Sequence, residues 1–190
     1  MRPLVRSNMS RSLRDIVLGG QGSGRARRES RCAGHARVPV TAVGAVPWAR
    51  LHAIRKAVVT GSNGKTSTKE LLKAALGASR RVHATGGNLN NRVGLPQTLL
   101  ALPDEAELAV IEVGTNTPGE VAILRDLCEP QIAVLTSIGE EHLEGLHDLA
   151  GVLREEASVF DGVPLAIAPA AQPEVAEAAR PLAGRVVEAG

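Results

Sequence analysis

From residue 57 onward, short aliphatic runs alternate with stretches whose apolar positions recur every three to four residues. Ala57–Thr60 (AVVT), Glu107–Val113 (ELAVIEV) and Gln131–Ser137 (QIAVLTS) read as strands. Near-continuous aliphatics of this kind mark strands buried on both faces. Arg81–Thr85, Pro164–Ala168 and Arg185–Glu188 are further strand predictions. Between them, helical spacing predicts helices over Lys65–Leu76, Val93–Leu102, Gly119–Cys128, Asp148–Phe160 and Pro173–Ala183. Pro96 is compatible with the second of these only in its first turn. Regular alternation of strand and helix predicts an α/β fold. Its sheet is mainly parallel, with right-handed crossovers and helices on both faces. In such sheets ligands bind beyond the C-terminal ends of the strands. The polar loops 61–66, 114–120 and 138–147 all follow strands and are expected to gather there.

Composition sharpens this picture in two ways. Trp48 and Phe160 are the only aromatic residues, so the core must be built from Val, Leu, Ile and Ala. Charge divides the chain. Residues 1–56 hold 12 Lys/Arg against 2 Asp/Glu, whereas residues 57–190 hold 10 against 18. Residues 1–50, with the stretch GGQGSGRARRESRCAGHAR, carry no hydrophobic period and are expected to form a disordered basic leader. Residues 51–190 form the folded domain. No aromatics interleave the arginines, which argues against nucleic acid as a partner. No apolar run reaches the roughly 18 residues needed to span a membrane. Cys32 and Cys128 fit no metal or redox spacing and are expected to be reduced thiols of a cytoplasmic protein.

The stretch VVTGSNGKTST carries the first candidate chemistry. Gly61 and Gly64 let the backbone curl so that its N–H groups converge on an anion, and the following helix aims its N-terminus at the same place. Gly61, Ser62, Asn63, Gly64, Lys65, Thr66 and Ser67 are therefore candidate nucleotide-phosphate ligands. Lys65 is placed to reach the terminal phosphates, and the Thr66 hydroxyl to ligate Mg²⁺. The match is to a shortened phosphate loop, because Val59 stands where the longer pattern has glycine. A bare glycine turn with a surface lysine is the competing reading. The loop's position between an aliphatic strand and an amphipathic helix speaks against it.

Phosphoryl transfer also needs metal ligands. Glu112, near the end of the ELAVIEV strand, is a carboxylate in apolar surroundings. Such a group is costly unless paired or metal-bound; an exposed edge position is the alternative. His142, in IGEEHLEGL, could ligate a metal or simply be solvated. Asn88, Asn90 and Asn91 could hydrogen-bond a ligand or fill local turns.

Taken together, VVTGSNGKTSTKE, TGGNLNNRVGLPQTLL, VIEVGTNTPGEVAIL and LTSIGEEHLEGLHDLAGV resemble, in order and spacing, the central ATP-binding domain of the Mur ligases of bacterial cell-wall synthesis. The GNLNN stretch points to the MurF type. The resemblance implies a P-loop-containing parallel sheet that is incomplete at its C-terminus. It implies an ATP- and Mg²⁺-dependent amide ligase, with UDP-N-acetylmuramoyl-tripeptide and D-alanyl-D-alanine as substrates. The tripeptide carboxylate would be phosphorylated to an acyl phosphate, which the dipeptide amine would then attack. It assigns Lys65 to the β- and γ-phosphates, Thr66 and Glu112 to Mg²⁺, His142 to a second metal, and Asn88 to the reacting groups. It also implies a cytoplasmic protein, expected to be monomeric.

Two departures from the family stand out. Where the family usually carries a lysine that becomes carbamylated, this chain has Glu156, a shorter carboxylate; a plain solvated glutamate is the competing reading. Ser137 stands where asparagine is common. The family's N-terminal and C-terminal domains are not recognisable in the 190 residues, so the chain alone is expected to be a poor or inactive ligase. A non-catalytic ATP-binding remnant is the alternative function. A folylpolyglutamate synthase relative is another, which the GNLNN stretch disfavours.

Overall fold

The computed structural model describes residues 53–140 and 143–190, leaving aside the side chains of residues 143 and 144. The basic leader predicted over 1–50 and the candidate His142 lie outside the described residues. Six strands form one wholly parallel sheet: β1 (Arg55–Thr60), β2 (Val82–Ala84), β3 (Leu108–Glu112), β4 (Ile132–Leu135), β5 (Leu165–Pro169) and β6 (Val186–Ala189). Their spatial order is β2-β3-β1-β4-β5-β6.

The helices are α1 (Lys65–Gly77), α2 (Gly94–Leu100), α3 (Glu120–Cys128), α4 (Leu143–Leu146), α5 (Leu149–Ala157) and α6 (Pro173–Ala179). A single 3₁₀ turn, Ser158–Phe160, follows α5. Every predicted element is present with ends shifted by a few residues. Within residues 55–190, the four-residue α4 is an addition, inside a segment the sequence shows only as a polar loop. Pro96 does sit in the first turn of α2.

The order of strands dictates which helix covers which face. The chain leaves β1 in one direction to reach β2, and every later crossover runs the opposite way. With right-handed connections, α1 therefore lies on one face and α2, α3, α5 and α6 on the other. Packing agrees. Leu72 and Leu76 of α1 cover Val59, Val110 and Val134, which form one face of the sheet. Residues one step along in register, Val58, Ile111 and Ala133, face the other helices together with buried Val121, Leu124 and Phe160. With no aromatic in the central strands, the layers close on aliphatic side chains, with Phe160 the buried exception.

At the C-terminal end of β1 the chain departs to the α1 face, while its neighbours β3 and β4 depart to the opposite face. That divergence opens a crevice at the sheet edge, the place where α/β sheets hold ligands. The loop after β1 meets the end of β4 there, and the loop after β3 meets the asparagine-rich loop. Ser62 N–H donates to Ser137 O at 2.8 Å, and Gly114 N–H donates to Asn90 O at 2.8 Å.

Candidate functional site

The glycine loop occupies the crevice. Gly61 (φ +122°) and Gly64 (φ +85°) both take left-handed backbone, which L side chains disfavour. Gly64 is the N-cap of α1, and that N-terminus has no side-chain cap and no acid in its first turn. The other two helices of nine residues or more are treated differently. The first turn of α3 carries Glu120, and α5 is capped by Asp148, whose carboxylate accepts from Gly151 N–H at 2.6 Å. A helix N-terminus bears positive potential and spare N–H donors. Leaving that of α1 open, beside Lys65, suits an external anion. Asn63, Gly64, Thr66 and Ser67 are exposed on the rim, and Lys65 Nζ donates to the carbonyls of Gly61 and, at 2.8 Å, Ser62.

The loop is clamped from the β4 side. Ser137 Oγ accepts from Asn63 N–H at 3.0 Å and donates to Asn63 O at 3.1 Å. Ser62 Oγ accepts from Gly139 N–H at 2.8 Å. Gln172, just before α6, holds the same segment with both ends of its amide. Its Oε1 accepts from Ile138 N–H and its Nε2 donates to Ile138 O, each at 2.8 Å. Ser137, noticed in the sequence only as a departure, thus has a defined job. Gln172→Ala is expected to loosen this clamp and cost about 1–2 kcal/mol of stability, measurable by denaturant melting.

On the α1 face lies Glu112, two residues beyond Val110 on β3. The sequence left open an exposed edge for it; the structure buries it, 2% exposed. Glu112 Oε1 accepts from Asn90 Nδ2 at 2.9 Å, and its own N–H donates to Thr85 Oγ1 at 2.9 Å. Glu112 Oε2 accepts no hydrogen bond, and its ion pair to Lys69 Nζ spans 3.5 Å. A buried carboxylate oxygen with this unmet capacity fits a cation ligand. Thr66 lies one helical turn before Lys69 on α1 and is exposed on the rim.

On the opposite face, Glu156 of α5 reaches under the loop and is also buried. Its solvated alternative is therefore corrected: helix packing takes it out of water. Glu156 Oε2 lies 2.5 Å from Thr60 Oγ1, which in turn lies 3.0 Å from Val113 O. The single hydroxyl proton of Thr60 cannot fully serve both acceptors. When protonated, Glu156 can donate to Thr60 Oγ1, which then donates to Val113 O; when ionised, Glu156 accepts from Thr60 instead. Desolvation pushes the Glu156 carboxyl above its usual range. The Thr60 hydrogen bond, the Lys65 charge and the Gly61 N–H oppose this, and Glu155 adds to it.

A carboxyl raised in the folded state costs nothing while both states are protonated. The cost appears as pH climbs past the unfolded value near 4.5 and grows up to the folded pKa. Glu156→Gln keeps the hydrogen bonds and removes the ionisation. Its Tm is expected to exceed the parent's at pH 7.5, with the gain vanishing toward pH 4. A constant difference across that range would contradict the assignment.

The three asparagines divide their labour in a way the sequence did not show. Asn91 Oδ1 accepts from Val93 and Gly94 N–H at 3.0 and 2.9 Å, a turn role at the start of α2. Asn90 holds Glu112, and Asn88 is exposed in the same loop. The contact with the carboxylate thus comes from Asn90. Lys69 was missed altogether. The available signal was its spacing: residues 65, 69, 72 and 76 form one stripe of α1, so a charged residue at 69 interrupts an apolar face. Cys128 is buried and free, and burial pushes its thiol up to about 12, which fits an inert reduced thiol. A separate cleft of about 280 Å³ is lined by Pro118, Gly145, Leu146, His147, Arg154 and Glu155, among others.

The model of the Mur ligase middle domain matches residues 59–190. This chain belongs to the Mur ligase family. Among curated relatives of this Mur ligase chain, the UDP-N-acetylmuramoyl-tripeptide–D-alanyl-D-alanine ligase of Bacillus subtilis is 47% identical over 105 residues. That match covers 55% of this chain and 23% of the relative. The ligase of the same name from Escherichia coli is 42% identical over 118 residues, covering 62% and 26%. The chain thus spans about a quarter of the length of these relatives. Among solved structures, MurF from Acinetobacter baumannii superposes with a TM-score of 0.69 at 31% identity, covering 75% of this chain and 32% of that one. The MurF ligase of Thermotoga maritima, solved in complex with ADP, gives 0.64 at 27% identity, covering 72% and 32%. The parallel sheet with helices on both faces is the Mur ligase central-domain fold. Among the described residues no helix is long and apolar enough to cross a membrane.

Proposed function

We propose that this chain is the nucleotide-binding domain of a MurF-type ligase. Such an enzyme joins D-alanyl-D-alanine to UDP-N-acetylmuramoyl-tripeptide in the cytoplasm, with ATP and Mg²⁺. The observation that carries the reading is the open, acid-free N-terminus of α1 behind Gly61–Lys65, beside the unmet oxygen of Glu112. In this reading the loop N–H groups and Lys65 hold the β- and γ-phosphates. Thr66 and Glu112 would hold Mg²⁺, which spreads the charge of the transferring phosphoryl group. Lys65 would exchange its bonds to the Gly61 and Ser62 carbonyls for phosphate oxygens. The relatives named above, ligases of this substrate pair, and the ADP-bound MurF neighbour support the assignment. His142 keeps the second-metal role that the resemblance gives it. Asn88 keeps its role beside the reacting groups, with Asn90 added as the residue that orients Glu112.

Calorimetric titration of MgATP into the chain and into Lys65→Ala tests the nucleotide step. The parent is expected to bind and the variant to lose about ten- to a hundredfold, the worth of charge-assisted contacts to phosphate. Equal affinities, or a cooperatively melting parent that binds no MgATP, would overturn it. Ligation is tested by substituting residues 57–190 for the matching segment of the Bacillus subtilis ligase and assaying joining of D-alanyl-D-alanine.

One observation favours a second reading, a nucleotide-binding domain without ligase chemistry. Glu156, at the position where the resemblance expects a modified lysine, is bonded into the floor of the loop through Thr60. A chimera that binds MgATP but ligates nothing would establish that reading.

A further inference from the structure

Lys69 is the most buried charge in the described molecule, 1% exposed, and the functional reading above does not use it. Its ammonium donates to Thr85 O at 2.9 Å, pairs with the exposed Glu70 at 3.1 Å and faces Glu112 Oε2 at 3.5 Å. Thr85 is shared: its carbonyl holds Lys69, and its hydroxyl accepts from Glu112 N–H. The lysine and the carboxylate are thus fixed to one another through β2 and β3, not merely adjacent. Burying an ammonium on an apolar stripe is costly, and a neutral residue of similar length would pack there without that cost. The charge itself therefore calls for an explanation.

Charge accounting supplies one. Among the described residues, the fixed positive groups on the α1 side of the loop are Lys65, Lys69 and the helix N-terminus. The buried negative group is Glu112, with Glu70 exposed to solvent beside Lys69. A divalent cation placed on Glu112 Oε2 would sit within a few ångströms of the Lys69 ammonium. At the effective dielectric of about 20 that suits such sites, that repulsion lowers affinity by orders of magnitude. A nucleotide polyphosphate adds several negative charges at the loop and reverses the balance.

We propose that Lys69 is the built-in counter-cation of Glu112, keeping a free divalent cation off the site until an anionic nucleotide arrives. Metal and nucleotide then enter together, and Glu112 does not trap a metal ion in advance. The inference rests on the nucleotide-site reading and adds an order of binding to it.

The test titrates Mn²⁺ alone, and Mn²⁺ with ADP, into the parent chain and Lys69→Met. Free Mn²⁺ is followed by electron spin resonance, and stability by thermal melting. The parent is expected to bind Mn²⁺ only with ADP. Lys69→Met leaves Glu112 buried without its partner, and is expected to bind Mn²⁺ alone at least about tenfold more tightly. Its Tm should rise with Mn²⁺ while the parent's does not. A folded Lys69→Met with no gain in Mn²⁺ affinity would overturn the proposal. So would a parent that binds Mn²⁺ equally well with and without ADP. Where Lys69→Met does not fold, Lys69→Gln replaces it, and the comparison within the parent decides if neither folds. ADP binding to the parent and to Lys65→Ala, measured without metal, reports separately on the nucleotide reading.

Discussion

Gly61→Ala is expected to abolish measurable MgATP binding and to cost about 2–4 kcal/mol of folding stability. The backbone there has φ +122°, a conformation that a side chain disfavours whatever the space around it. The space is also absent. A Cβ at this position would lie 2.5 Å from Thr136 Oγ1, 2.8 Å from Ser137 O and 3.0 Å from Ser137 N. Two of those atoms are backbone of the β4 end, and the same end is tied to the loop by Ser62 N–H on Ser137 O. Relief therefore requires the loop to leave β4. That breaks the Ser62 and Asn63 contacts which aim the N–H groups proposed to hold phosphate. Gly77→Ala is the matched control. It ends the same helix, nothing lies within 4 Å of its added Cβ, and its effect should be near zero or a gain of about 0.5–1 kcal/mol. Denaturant melts and calorimetry on both variants check this. A Gly61→Ala protein that binds MgATP like the parent would mean the loop is not the phosphate site.

The second large effect is expected at a residue that makes none of the proposed nucleotide contacts. Glu155 of α5 is buried, and its carboxylate accepts from Gly119 N–H at 2.6 Å and from Val121 N–H at 2.9 Å. It is the N-terminal cap of α3, supplied by a neighbouring helix, and a negative charge there also meets the helix dipole. Glu155→Ala strips both donors of their partner in a place water does not readily reach. The expected loss is about 3 kcal/mol, a fall in Tm of roughly 10 °C. Glu155→Gln keeps one acceptor oxygen and should lose about half as much. MgATP affinity should change little in Glu155→Gln, since the loop contacts lie on other residues. Equal stability of Glu155→Ala and the parent would show that α3 finds its cap elsewhere.

Adjacent glutamates on α5 thus do opposite things: Glu155 is satisfied by backbone donors, while Glu156 meets a hydroxyl and loses hydration. In the sequence both are letters in LREEA, one residue apart on a helix. Their difference arises because the helix turns each toward a different neighbour, α3 for one and β1 for the other.

What the chain determined by itself is what repeats locally. Aliphatic runs and helical spacing set the strands, the helices and the parallel α/β architecture, because burial on two faces needs continuous apolar residues. Gly61, Gly64 and Lys65 marked the loop proposed to hold phosphate, because a left-handed turn before a helix has few alternative spellings. Glu112 announced itself as a charge in an apolar strand. What only tertiary structure decided is pairing across distance. Asn90 holds Glu112, Ser137 and Gln172 clamp the loop, and Lys69 balances Glu112. These partners stand 22, 74, 34 and 43 residues apart along the chain. No local period encodes such distances. They follow from strand order, which places β1 between β3 and β4.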